Sequence, residues 1–231
     1  MNNRLLTQTN YSLLKVLLPA LYLVLGFILG LFSTVFAEHR QRRRRRIEFR
    51  DGMRAELKQA LVMLSCYAFQ FDYKITKEKL RVILDLFREF NLHEEAVPLA
   101  QNPEFKELIN KNFADEQLIS FAAIHNQKKN FERDDIYSTI RKIHCSFIQG
   151  NVASISLLNK SERSLLFNIL RRLNITNDQI HRLDFIFEKS YDPNISSENR
   201  ERLKLNYKNS CQFISDWSYI AAEEIGLLLR Q

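Results

Sequence analysis

The sequence predicts an all-α protein, a membrane-crossing helix followed by a helical domain, and three observations carry that prediction. An uncharged, largely apolar run, VLLPALYLVLGFILGLFSTVFA, fills residues 16–37 between Lys15 and Glu38. Beyond it, apolar residues recur at spacings of three and four, the period of a helix face and not of a strand. Only five glycines and four prolines occur in 231 residues, too few for a turn-rich sheet protein, while Leu, Ile, Lys, Glu and Arg abound.

Residues 1–15 form a short N-terminal segment whose only charged side chains are Arg4 and Lys15. Residues 16–37 are the membrane span. As a helix they extend about 33 Å, enough for a bilayer core of roughly 30 Å. An export signal is the alternative, with Val35-Phe36-Ala37 as the cleavage site and Arg4 and Lys15 as its positive leader. The apolar run is longer than the core of such a signal, about 7–15 residues. Five consecutive arginines would also follow the cut, where they oppose export. A signal-anchor is therefore expected. Pro19 is tolerable in a membrane helix. Gly26 and Gly30 form a GxxxG, which lets two helix backbones approach closely, so they are candidate packing residues for a homodimer.

Residues 38–51 form a basic juxtamembrane segment with Arg40, Arg42, Arg43, Arg44, Arg45 and Arg46. Basic residues are retained on the cytoplasmic side. The expectation is a single-pass protein, N-terminus outside and domain in the cytoplasm, in a bacterial inner membrane. The arginines face anionic lipid headgroups, each contributing about 1 kcal/mol near the surface. Residues 1–54 carry 10 Lys and Arg against 3 Asp and Glu, and residues 55–231 carry 24 of each. The net charge of +7 thus belongs to the membrane-proximal part, and the domain is neutral. That weighs against nucleic acid, which requires a basic face on the domain itself. Cys66, Cys145 and Cys211 are far apart and form no CxxC or His/Cys spacing, so they read as reduced, buried residues.

Residues 52–190 make the helical domain. A first helix, 52–69, carries Leu57, Leu61, Leu64 and Ala68 on one stripe, widened by Met63 and Tyr67. Thr76 is an N-cap for a second helix, which presents Val82, Ile83, Leu86, Phe87 and Phe90 and stops at Asn91, a residue that tolerates the left-handed conformation. Short helices are predicted at 93–101 and 104–113, with breaks at Pro98 and Pro103. A firmer helix follows at 115–125, then a loop at 126–130. The next helix, 132–148, carries Ile136, Ile140, Ile143 and Phe147, with Glu132, Asp134 and Asp135 in its first turn, where acids suit the helix dipole.

Asn159-Lys160-Ser161-Glu162 is a capping box, and Thr176-Asn177-Asp178-Gln179 reads as another. From Thr76 to Asn91 is fifteen positions, as from Asn159 to Asn174. At this offset of 83, Val82, Ile83, Leu86, Phe87, Phe90 and Leu92 match Leu165, Leu166, Ile169, Leu170, Leu173 and Ile175. Two related helical hairpins around one core are the expectation. After Asp192-Pro193-Asn194, a turn, Ser196 or Ser197 caps a last helix within residues 191–231. Its stripe of Leu203, Tyr207, Ile214, Trp217, Ala221, Ile225 and Leu228 either closes the core or binds a partner. Trp217 and Tyr219 are its candidate interface anchors.

The stretches FDYKITKEKLRVILDLFREFNLHEEA and SLLNKSERSLLFNILRRLNITNDQI resemble the TerB-like (tellurite-resistance B) domain pattern: Asp-Gly, one residue, an aliphatic, Ser/Thr and an acidic residue opening a helix. With the membrane helix ahead of them, the arrangement is similar to that of membrane-anchored DjlA-type J-domain co-chaperones. The departures are specific. Tyr73 stands in place of Gly, Lys79 occupies a place where the family favours an acid, and Ile155 takes the Asp position of the second copy. The resemblance implies a divalent-cation site, for which Asp72, Glu78 and Glu162 are the candidate ligands. Neither copy has the full acidic pair, so no metal or other cofactor is expected. The 42 residues after Lys189 contain no His-Pro-Asp, so Hsp70 stimulation is not implied.

No GxSxG, P-loop, HExxH or GxGxxG occurs. His144 and Cys145 are sequence neighbours, which diverge by about 100° on a helix and form no dyad. His93, His125 and His181 are isolated. The reading is non-enzymatic, without a small-molecule substrate: a membrane-anchored interaction module that recruits or scaffolds a protein partner, in an envelope-stress pathway or a larger membrane assembly. The alternatives are a divalent-ion-responsive TerB-like stress protein and a nucleic-acid or anionic-lipid tether acting through the arginine run.

Overall fold

The computed structural model describes the backbone of residues 3–92, 102–111, 113–131, 141–190 and 192–231, and their side chains except at 3–18, 20 and 129–131. Among the described residues all regular structure is helical, as the sequence predicts. The chain divides into two compact units, Met1–Phe49 and Arg50–Gln231. Helix α1, Asn3–Gln70, supplies the first and opens the second.

In the first unit every described large apolar side chain from Leu21 to Phe36 is exposed. A soluble helix buries one stripe and wets the other; this one is apolar all round and covered by protein on no side. Among the described residues it is the one helix long and apolar enough to cross a membrane. Pro19 lies inside it.

The second unit begins with the stripe read from sequence. Leu57, Leu61, Leu64, Tyr67 and Ala68 are buried, and Met63 is half-buried. Gly52 has a packing role: a Cβ there would lie 2.3 Å from Cζ of Phe147, so glycine lets that ring lie against the α1 backbone. α2 spans Lys77–Glu89 behind Thr76, whose hydroxyl accepts from the Lys79 amide at 3.4 Å. It ends as expected, with Asn91 at φ 52°. α3, Pro103–Asn110, is capped by Asn102, whose Oδ1 accepts from the amides of Glu104 (2.9 Å) and Phe105 (3.1 Å). The Phe69 ring gathers Phe105, Phe121 and His125 at centroid distances of 5.5, 6.1 and 4.3 Å, and Phe87 meets Phe105 edge-on at 5.6 Å. Edge-to-face and tilted contacts suit the aromatic quadrupole.

Two corrections follow from side chains that bind distant backbone. α4, Asp115–Phe131, continues through the predicted loop at 126–130. Asn126 is polar for a tertiary reason: its Oδ1 accepts from the Ile75 amide (2.9 Å) and its Nδ2 donates to the Ile75 carbonyl (3.1 Å). Of the predicted helix 132–148, residues 146–148 are helical, as the start of a separate short helix, and residues 141–145 are not. There the Tyr67 hydroxyl donates to the Arg141 carbonyl (2.5 Å) and accepts from its amide (3.1 Å), while Asn177 clasps both backbone groups of Ile143 at 2.8 Å each. Backbone so engaged has no partners left for a helical ladder. The predicted helix at 93–101 and residues 132–140 lie outside the described residues.

A short α5, Ser146–Gly150, follows, capped by Glu56, whose carboxylate accepts from the amides of Phe147 (2.8 Å) and Ile148 (2.9 Å). A 3-10 turn, Val152–Leu157, leads to α6, Lys160–Ser190. The Asn159 box is reciprocal: Oδ1 accepts from the Glu162 amide and Glu162 Oε2 accepts from the Asn159 amide, both at 2.8 Å. α6 runs on through Asn174-Ile175-Thr176, so the second predicted box does not form and the second hairpin is one helix. The stripe explains it. Leu166, Ile169, Leu173, Thr176, Ile180, Leu183 and Ile186 are all buried at spacings of three and four, with Thr176 as a member of the seam. α7, Ser197–Leu229, capped by Ser196, packs antiparallel along α6 and closes the core with Ile214, Ala221 and Ile225. Leu86 and Ile169, matched across the 83-residue offset, are both buried.

Candidate functional site

In the first unit, a Cβ added at Gly26 or Gly30 would meet nothing within 4 Å, so both positions present bare backbone. Arg40 and Arg42–Arg45 are exposed, and Arg46 is half-buried. This segment offers lipid-compatible surface and a cationic collar.

In the second unit two of the three candidate metal ligands, Asp72 and Glu162, are held by cations of the chain itself, and Glu78 is exposed. Asp72 is fully buried. Its Oδ2 accepts from Lys79 Nζ at 2.7 Å, and its Oδ1 accepts from the Lys74 amide at 2.8 Å. The same ammonium donates to Asp216 Oδ1 at 3.0 Å, and Gln212 links Asp216 (3.1 Å) to the Tyr73 amide (3.3 Å). Lys79 therefore stands between two carboxylates on different elements, where a free cation would otherwise be attracted. A buried carboxylate demands such a partner. Burial pulls the Lys79 ammonium down, but its hydrogen bonds to Asp72 and Asp216 and their charges outweigh burial and hold it above the ordinary lysine range.

Glu162 is buried at the start of α6, bound to Arg50 through Oε1 and to the box through Oε2. Glu78 is exposed in the first turn of α2, its carboxyl held below the usual range by its own backbone amide and Thr76. Among the described residues no group of three or more His, Cys, Asp or Glu side chains is arranged to hold a metal ion. Burial pushes the thiols of Cys66 and Cys145 up to about 12, which leaves them protonated and unreactive at neutral pH.

Both aromatic candidates on α7 are half-buried. The Trp217 ring stacks on Phe213 at 5.4 Å, with the Arg172 guanidinium over it at 5.0 Å. Arg172 is itself fixed by Glu224 at 2.7 Å. The Tyr219 hydroxyl donates to Glu223 at 3.2 Å, and Lys79 lies 5.6 Å from its ring. Burial, then the Glu223 charge, pushes that phenol up to about 12. The two rings thus join α7 to its neighbours while keeping part of their surface in solvent.

No family model, curated protein or solved structure matches this chain.

The residues that sequence reading missed are those whose partners lie far along the chain. Asp216 meets Lys79 and Gln212 meets Asp72 across more than 130 positions, and Glu56 reaches α5 across about 90. No local spacing announces them. One signal was legible: Lys79 is a cation in the first turn of α2, where the helix dipole disfavours it. A cation there needs acids close by. Ile220 and Leu227, one heptad apart on α7 and both exposed, were likewise masked by the longer stripe of Trp217, Ala221 and Leu228.

Proposed function

We propose that this chain is a single-span membrane protein whose helical unit, residues 50–231, is held at the cytoplasmic face to recruit or scaffold a protein partner. The observation that carries the reading is that every large apolar side chain from Leu21 to Phe36, directly ahead of the arginine run, is exposed. Exposed apolar surface on every side of a helix is stable in lipid and not in water. The arginines orient it and add attraction to anionic headgroups. The second unit offers a nearly neutral helical body, with 26 Lys and Arg against 25 Asp and Glu, a composition suited to binding another protein.

A TerB-like relationship is part of this proposal. What supports it is the pair of capped helices with matching buried faces at the 83-residue offset. Set against it are the unbroken α6 and the internal ammonium of Lys79 beside Asp72. The divalent-ion alternative draws no support from Asp72, Glu78 and Glu162, which sit apart with their own partners or in solvent.

The test is made on the full chain in native membranes. The protein is expected to resist alkaline carbonate extraction. A phosphatase active only after export, fused behind Gln231, is expected to be silent, and a cytoplasmic reporter at the same place active. Release by carbonate would overturn the anchor, and an active export reporter the orientation. Crosslinking followed by mass spectrometry is expected to yield a protein partner attached to residues 50–231.

A further inference from the structure

A groove of about 410 Å³ runs between α2 and α7. Its floor is Leu86, and Val82, Ile220 and Leu227 form its walls. Leu227 is 51% and Ile220 37% exposed, two aliphatic side chains one heptad apart on α7 that flank the buried Leu86. Gly226 shapes the floor: a Cβ there would lie 2.5 Å from Cδ2 of Leu86, so glycine lets α7 come down onto that side chain. The rim is acidic, with Asp85, Glu223 and Glu224. Arg230 is the one cation among the groove's lining residues, against three acids, and it is bound to Glu89 (2.7 and 2.5 Å); Glu224 is bound by Arg172 (2.7 Å). Asp85 and Glu223 therefore leave the groove with net negative charge.

Resting on the recruitment reading above, we propose that this groove is the docking surface and that its occupant is a basic amphipathic helix of a partner protein. The helical form follows from the host. Ile220 and Leu227 are about 10 Å apart along α7, two turns, and a third helix laid between two others presents aliphatic knobs at that repeat. No sheet edge exists among the described residues for an extended peptide to join. The positive charge follows from Asp85 and Glu223, since a guest carrying Lys or Arg beside its aliphatic face gains where an acidic one is repelled. The chain's own most basic stretch, Arg40–Arg46, contains no aliphatic side chain and supplies charge with nothing to fill the floor.

The experiment uses the full chain in zwitterionic nanodiscs. The probe is a fluorescent 15-residue helical peptide of leucine and lysine with its leucines on one face, beside a twin with glutamate for lysine. Empty discs give the background. Anisotropy is expected to show saturable binding of the basic peptide and none of the acidic twin. Leu227→Arg is expected to weaken binding at least tenfold, and Asp85→Lys with Glu223→Lys to reverse the preference between the peptides. Phe167→Arg, at an exposed aromatic on α6, is expected to change nothing. Absence of binding, or binding indifferent to Leu227→Arg and to the charge reversal, overturns the proposal. A change of oligomeric state caused by Leu227→Arg without peptide also overturns it, making a second copy the occupant. Crosslinked partners that map away from residues 82–86 and 220–227 would defeat the groove and leave the recruitment reading standing.

Discussion

α2 and α6 start alike and end differently. Both open behind a polar cap, Thr76 and Asn159, and both turn an equivalent face inward, with Ile83 and Leu86 on one and Leu166 and Ile169 on the other. Both carry a charge at the third helical position, with opposite signs. In α2 it is Lys79, neutralised by Asp72 and Asp216; in α6 it is Glu162, neutralised by Arg50. Fifteen residues past the cap, Asn91 turns left-handed and stops α2, whereas Asn174 stays helical and α6 continues to Ser190. In both helices the start is decided by side chains within one turn of it. A helix end is decided by whether the buried stripe has something further to pack against.

The opposite charges at the third position give the largest expected effect. Lys79→Met would strand Asp72, whose side chain is 1% exposed, without a cation. Breaking a buried pair from one side costs about 3–5 kcal/mol, and the lower end applies because Lys79 is partly reached by water. Chemical denaturation of the detergent-solubilised chain is expected to show that loss. Glu162→Gln is expected to cost less, since Arg50 is 30% exposed and water can replace its partner. The Lys79 ammonium is held above its ordinary range in the fold, so its stabilisation is complete below the unfolded lysine value, near about 10.4. It fades as pH rises through the higher folded value. The gap between wild type and Lys79→Met should therefore be level at neutral pH and close only in alkali. A gap that closed between pH 5 and 8 would contradict the assignment.

The two asparagines are next. Asn91 sits at φ 52°, where a Cβ-bearing residue without a short polar side chain is strained by roughly 1–2 kcal/mol. Asn91→Ala is expected to lose about 1 kcal/mol and Asn91→Gly to be neutral or better. Asn174→Ala, on an exposed helical position, is expected to gain a few tenths, because alanine is the better helix former. Equal losses at both sites would mean that α6 also turns at Asn174, restoring two hairpins.

Much of the fold was legible in the sequence for a physical reason: caps and amphipathic stripes are local. Thr76, Asn159, Glu162, Ser196 and the left-handed Asn91 were all readable within a few residues of themselves. The misreadings have one cause. Asn126, Asn177 and Thr176 are polar residues that read as loop or cap signals, yet each is used across the fold or inside a seam. Asn126 and Asn177 lend their amides to the backbone of Ile75 and Ile143, two buried isoleucines just ahead of α2 and α5. The candidate site was less legible for the same reason. The long apolar helix and its arginines are contiguous in sequence, whereas the groove joins residues 82–86 to residues 220–230.

Thr176 gives the smallest effect and the sharpest discrimination. If it were the N-cap of a separate helix, its hydroxyl would accept from a backbone amide two or three residues on, and Thr176→Val would cost about 1 kcal/mol. In the continuous α6 the hydroxyl is buried in the seam and has no hydrogen-bond partner among the described residues. A buried polar group without a partner is a net cost, and valine keeps the branched shape while removing it. β-branching is common to both residues, so helix propensity barely changes. Thr176→Val is therefore expected to stabilise the chain, by roughly 0.5–1 kcal/mol, with Ile169→Val as a control that loses about the same amount by leaving a small cavity. The opposite sign at Thr176 would place a helix start there and return the second hairpin to the fold.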